Sequence, residues 1–211
     1  MTDSAVHLRR DQYRAMPWRN GAGVSLEIAR EPAAGNEFLW RLSLATVATS
    51  GPFSNFAGYR RSVTLVDGGG FRLGIGGQEA VVLDSVGATA WFPGGAPTSC
   101  ALINGLSSDL SLMVREPGEI VSVIRIQSAA ALDVPLRAGA LKAVFCLTDG
   151  AILTHPDSPT ASRRARAEIK LAMHDTVLVG PQAAAVSVLP SSSMPADLLL
   201  LTWMTASAGQ S

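Results

Sequence analysis

Apolar and polar residues alternate along this chain in short bursts, and most bursts end at glycine, proline, asparagine or aspartate. Residues 24–30 put Val24, Leu26 and Ile28 on one face and Ser25 and Glu27 on the other, which is the two-residue period of a strand. Residues 38–47 repeat the pattern, with Trp40, Leu42 and Leu44 opposite Arg41, Ser43 and Ala45. Similar β-prone runs cover 62–66, 71–75, 80–83, 88–92, 99–103, 110–115 and 120–126, then 141–147, 167–171, 176–179, 185–189 and 198–204. Long helical patterns are missing. Many short strands between turn residues predict an all-β fold of the sandwich or barrel kind.

The pattern also repeats. Val63–Gly68 and Val144–Gly150 are each an apolar strand closed by Asp-Gly. Residues 92–103 parallel 179–189, and 108–114 parallel 196–202. The matched positions Asp67/Asp149, Gly94/Gly180 and Asp109/Asp197 stand 82, 86 and 88 residues apart, a drift that loop insertions explain. An internal duplication predicts two β-lobes. Glu116-Pro117-Gly118 interrupts the strand pattern, so the expected division is 1–116, with an N-terminal arm, and 117–211.

Composition narrows the functions. The 211 residues are 47% hydrophobic and 16% charged, with 17 basic and 17 acidic side chains, which suits a folded core and not a disordered chain. Zero formal charge supplies no field for nucleic acid or an anionic membrane. The one basic run, Arg163, Arg164 and Arg166, reads as a solvated hairpin tip. No apolar run approaches the ~20 residues of a membrane span, and no signal-peptide pattern opens the chain. Cys100 and Cys146 sit in apolar strands without metal spacing and read as buried thiols of a reducing compartment, so a cytoplasmic location is expected. The histidines, His7, His155 and His174, form no metal-binding pair, and no cofactor is expected. The Gly68–Gly77 stretch lacks a phosphate-loop spacing, so its glycines are assigned to hairpin turns.

Two regions place polar residues where a pocket would use them. One is the polar face of the first strands, with Glu27, Arg41 and Ser43; an outer, solvated face is the alternative. The other is Gly51-Pro-Phe53-Ser54-Asn-Phe56-Ala-Gly-Tyr-Arg60-Arg61, a loop that mixes aromatic rings with hydroxyl, amide and guanidinium donors. An apolar pocket with a few placed polar groups has this composition, and an arginine fork matches a carboxylate.

Trp18-Arg-Asn20-Gly-Ala-Gly23 with Glu27 after it resembles the opening signature of the HutD family, which includes the Ves proteins. So do Trp40-Arg41-Leu-Ser43-Leu-Ala45, Gly51-Pro-Phe53-Ser54-Asn-Phe56-Ala-Gly58, Arg61-Ser-Val-Thr64-Leu65 and Gly105-Leu-Ser-Ser-Asp109-Leu-Ser-Leu-Met113. The resemblance implies a two-lobed, cupin-like (bicupin), metal-free protein of histidine utilisation. It would bind formylglutamate or a similar small carboxylate and tune pathway flux instead of catalysing a step. It implies a site of Trp18, Asn20, Glu27, Arg41, Ser43, Phe53, Ser54 and Arg61, with Arg61 on the carboxylate and Phe53 and Trp18 over the apolar stem. Two positions depart from the family: Arg60, where an acidic residue is usual, and Ser111, where asparagine is common. A metal-independent enzyme with Glu27 or Asp109 as general base, and a protein-interaction module, remain alternatives. A homodimer is left open.

Overall fold

Nearly every apolar burst becomes a strand, because an alternating segment can bury one face only by pairing its backbone in a sheet. The computed structural model describes residues 5–18, 23–32, 37–156, 166–191 and 194–206. Asn20 and the Arg163–Arg164 run lie outside the described residues. The chain is all-β and divides into two compact units, Tyr13–Ile120 with Thr205–Ser211, and Met1–Gln12 with Val121–Met204.

In the first unit the strands are β2 (Arg14–Pro17), β3 (Val24–Glu31), β4 (Trp40–Val47), β5 (Gly51–Pro52), β6 (Tyr59–Gly68), β7 (Phe71–Ile75), β8 (Val81–Leu83), β9 (Thr89–Pro93), β10 (Thr98–Leu102) and β11 (Ser107–Arg115). They form two sheets of order β2-β3-β4-β11-β6-β9 and β5-β10-β7-β8, antiparallel at each of these pairings. One apolar core draws on both sheets and holds Val47, Val63, Leu65, Phe71, Leu73, Leu83, Phe92 and Cys100. The turn from β6 of one sheet to β7 of the other is tight. Gly68 and Gly70 adopt φ of 93° and 100°, and a Cβ on Gly69 would stand 2.1 Å from the Asn104 carbonyl oxygen. That is a turn's use of glycine.

The second unit contains β1 (Val6–Leu8), β12 (Glu119–Ser128), β13 (Leu132–Pro135), β14 (Leu141–Cys146), β15 (Ala151–Pro156), β16 (Arg166–Leu171), β17 (Thr176–Val179), β18 (Ala185–Pro190) and β19 (Ala196–Met204). Its sheets run β1-β17-β14-β19-β12 and β13-β18-β15-β16 around a core that includes Val144, Cys146, Leu153, Val177, Val186 and Leu198. The N-terminal arm, expected with the first lobe, belongs here. Val6, His7 and Leu8 pair with Leu178, Val177 and Thr176, and Asp175 accepts hydrogen bonds from His7 Nε2 (2.9 Å) and the Arg10 backbone N–H (3.0 Å). Sequence distance misassigned the arm because edge pairing is set by long-range register.

Among the described residues no helix is long and apolar enough to cross a membrane. Both cysteines are buried and unbridged.

Candidate functional site

The inner face of the six-stranded sheet carries its polar residues in cross-strand rows. Glu27 of β3 pairs with Ser43 of β4, and Ser43 with Ser111 of β11. The next row runs Arg30, Arg41, Met113, Arg61 and Phe92 across β3, β4, β11, β6 and β9. A third runs Ser25, Ala45, Asp109 and Leu65. Paired side chains in such rows lie about 5 Å apart, so the polar groups converge. They open onto a cavity of about 250 Å³ that is also lined by Trp18, Phe38, Phe53, Ser54 and Phe56.

A bulge builds part of this wall. Glu27 pairs with Ser43 and Ala29 with Leu42, so Ile28 is the extra residue that shifts the alternation. Without the shift Arg30 would share a face with Val24 and Leu26. With it Arg30 joins Glu27, and their side chains approach to 3.7 Å. Strict alternation cannot reveal such an arginine.

The two other guanidinium groups are held by rings. The Arg61 group lies over Phe53 (4.6 Å to the ring centre) and Phe92 (5.7 Å), and that of Arg41 over Phe38 (5.0 Å) and Phe56 (5.1 Å). Such stacking contributes roughly 0.5–2 kcal/mol and fixes the plane of the group. Arg61 Nε donates to Ser111 Oγ (3.2 Å), and Ser111 in turn donates to the Ser62 carbonyl (3.2 Å). The fork of Arg61 is thereby anchored at its stem end, and its terminal amino groups are the part a ligand can reach. Arg41 also points a terminal amino group at Met113 Sδ (3.7 Å).

Above the cavity Trp18 donates from its indole to Ser25 Oγ (2.8 Å), and its backbone N–H to the Gly23 carbonyl (2.8 Å). A Cβ on Gly23 would come within 2.9 Å of the Trp18 ring, so the glycine lets the indole lie against the strand entrance.

Burial shapes the electrostatics. Asp109 is 2% exposed, its Oδ1 accepts no hydrogen bond among the described residues, and desolvation pushes its carboxyl up to about 6 against the pull of Arg61. The same burial brings Arg61 down to about 10, with Asp109 opposing and Arg41 adding to the fall. Burial, reinforced by Asp109, raises the Cys100 thiol to about 12, so it stays protonated and unreactive. Glu27 Oε2 is also buried without a hydrogen bond among the described residues. Three arginines against two carboxylates leave the cavity with a surplus of positive charge.

Of the residues expected at a site, Trp18, Glu27, Arg41, Ser43, Phe53, Ser54 and Arg61 all line this cavity; Asn20 lies outside the described residues. The polar face of β3 and β4 therefore looks inward, not to solvent. Arg30, Ser25, Phe38, Ser111 and Met113 were not in the expected set, and Asp109 entered it only as a base. Arg60, on the opposite face of β6 from Arg61, is exposed. Among the described residues no group of three or more His, Cys, Asp or Glu is placed to hold a metal ion.

The family model described as HutD matches residues 10–194. An uncharacterised 21.2 kDa protein in the hutC 3′ region of Pseudomonas putida is 43% identical over 107 residues, 50% of this chain and 56% of that protein. The chain thus spans about half the length of this curated relative. Among solved structures, a conserved protein of unknown function from Pseudomonas aeruginosa PAO1 superposes with a TM-score of 0.82 at 29% identity, covering 96% of this chain and 100% of that one. HutD from Pseudomonas fluorescens SBW25 gives 0.71 at 28% identity, covering 94% and 98%. At 10% and 8% identity, Ylba and the pirin YhhW of Escherichia coli share only the cupin-like fold, with TM-scores of 0.67 and 0.60.

Proposed function

We propose, from the premise that this chain belongs to the HutD family, that the cavity of its first unit binds a small carboxylate metabolite of histidine utilisation, formylglutamate being the first candidate, and that binding tunes pathway flux. The observation that carries this is the pair of ring-stacked guanidiniums, Arg41 and Arg61, in a cavity whose lining has a cationic surplus. A bound carboxylate matches the guanidinium fork and balances the net positive charge of the lining. The Phe53 and Trp18 rings would flank the methylene stem, and Ser43 and Ser54 offer neutral hydrogen bonds. The relative in the hutC 3′ region supports the pathway.

The same reading takes the two units as copies of one cupin-like ancestor. Adding eight to each strand number turns β4-β11-β6-β9 with β5-β10-β7-β8 into β12-β19-β14-β17 with β13-β18-β15-β16, the sheet orders of the second unit. Lys142, two residues before Val144, then stands where Arg61 stands before Val63. Its Nζ donates to the carbonyls of Gly180 (3.4 Å), Pro181 (3.2 Å) and Ala183 (3.4 Å). The second unit satisfies its cation with its own backbone, which leaves ligand binding to the first.

Calorimetry with formylglutamate tests the proposal. Charge-assisted hydrogen bonds contribute about 1.5–3 kcal/mol, so Arg61→Ala is expected to weaken binding roughly tenfold to a hundredfold. Equal affinity for the variant and the wild type removes Arg61 from the site. Turnover of the ligand, lost in Glu27→Gln, replaces the binding reading with an enzymatic one.

A further inference from the structure

We infer that Asp109 is the proton-carrying member of this site: it meets the ligand's carboxylate as a neutral carboxyl, so the anion is taken up together with one proton. The inference rests on the binding reading above and adds a role for the floor of the cavity.

Asp109 lies on β11 between Ala45 of β4 and Leu65 of β6, so neither neighbour in its row offers a donor. Its side chain lines the cavity, is all but fully buried, and leaves Oδ1 without a hydrogen bond among the described residues. Among the described residues, the charged and titratable groups that face the same cavity or act on Asp109 are few. They are Glu27 and Arg30 on β3, Arg41 on β4, Arg61 on β6 and the Cys100 thiol on β10. Glu27 is engaged with Arg30 at 3.7 Å, and the thiol stays neutral, so Arg61 is the cation that determines whether Asp109 ionises.

A ligand carboxylate on the fork of Arg61 changes that balance. Two anions held close together in partly desolvated surroundings repel each other strongly. The guanidinium that restrained Asp109 now serves the ligand. Already ionising late in the empty cavity, Asp109 keeps or takes up a proton, and the carboxyl O–H donates to the ligand oxygen. No bond other than this hydrogen bond is formed, and the proton comes from solvent. The sign follows. The bound state holds the proton more tightly than the free state, so affinity is constant just below pH about 6, down to the range where the ligand's own carboxylates protonate. Above that it falls by up to tenfold per pH unit until the bound-state value is passed.

The test is calorimetry with formylglutamate at pH 7.5 in phosphate and in Tris, whose ionisation enthalpies differ, repeated with Asp109→Asn. The expected result is uptake of up to one proton by the wild type and none by Asp109→Asn, which retains a neutral donor and binds with little pH dependence between 6 and 8. Carbon-13 NMR of aspartate-labelled protein reads the same carboxyl directly, ligand-free and saturated. Binding without proton uptake, or an ionised Asp109 in the saturated protein, overturns this inference and leaves the binding proposal standing. No binding by the wild type at any pH overturns both. Proton uptake that persists in Asp109→Asn assigns the proton elsewhere and overturns it as well.

Discussion

Arg61 and Asp109 occupy neighbouring strands of one sheet, and each shifts the other's ionisation, yet burial outweighs their attraction. The consequence for stability is measurable without any ligand. In the unfolded chain Asp109 ionises at its ordinary value of 3.8, whereas in the folded protein it does so at about 6. Between those values the folded state binds more protons than the unfolded one, so stability falls as pH rises across that window and the deficit persists above it. Its size is roughly 3 kcal/mol at most. Asp109→Asn is therefore expected to raise the melting temperature at pH 7.5 and to match the wild type near pH 3.5. A variant less stable at pH 7.5 would mean that ionised Asp109 stabilises the fold through Arg61. The Ser111 hydroxyl accepts from Arg61 Nε and donates to the Ser62 carbonyl, so one small side chain fixes the arginine to the sheet.

Two structural elements depend on features that period counting cannot supply. The bulge at Ile28 recruits Arg30 to the cavity wall, and the arm strand β1 crosses to the edge beside β17. A buried carboxylate reinforces the arm's backbone pairing with β17. Asp175 accepts from His7 Nε2, the Arg10 N–H and the Ala172 N–H (3.2 Å) and is itself buried. Removing it leaves those donors unmatched and unlatches an edge strand. Asp175→Ala is expected to cost roughly 2–4 kcal/mol. Amide exchange across Val6–Leu8 should quicken ahead of the β14 amides, and unchanged exchange there would show that backbone pairing alone retains the arm. The sequence readily exposed the strands themselves, since β3, β7, β14 and β17 lie where alternation put them. It missed β1, β2, β5 and β13, which are short, and also the six-residue β15.

At the scale of the molecule, the two units share a sheet plan and differ in what they do with an inward-facing cation. One leaves Arg61 on an accessible cavity, and the other buries Lys142 under three carbonyls. If the ligand binds only the first unit, saturating formylglutamate should slow amide exchange in β3, β4, β6 and β11, because a ligand opposes the openings that disrupt its site. The local exchange of β14, β15 and β18 should stay as it was. Equal slowing in both units would argue against a site confined to the first.

The sequence by itself determined the all-β class, the positions of most strands, the family and several of the cavity-lining residues. Those follow from local facts: a period of two, turn residues between runs, and motif residues at fixed spacing. It could not decide which face of β3 and β4 looks inward, since alternation names two faces and leaves open which one is covered. Only the tertiary structure turned the polar face onto a cavity, shifted Arg30 into it through a bulge, and placed Asp109 where desolvation dominates. Each of these is a long-range effect of pairing and burial, in which a residue's chemistry is set by neighbours far away in the chain.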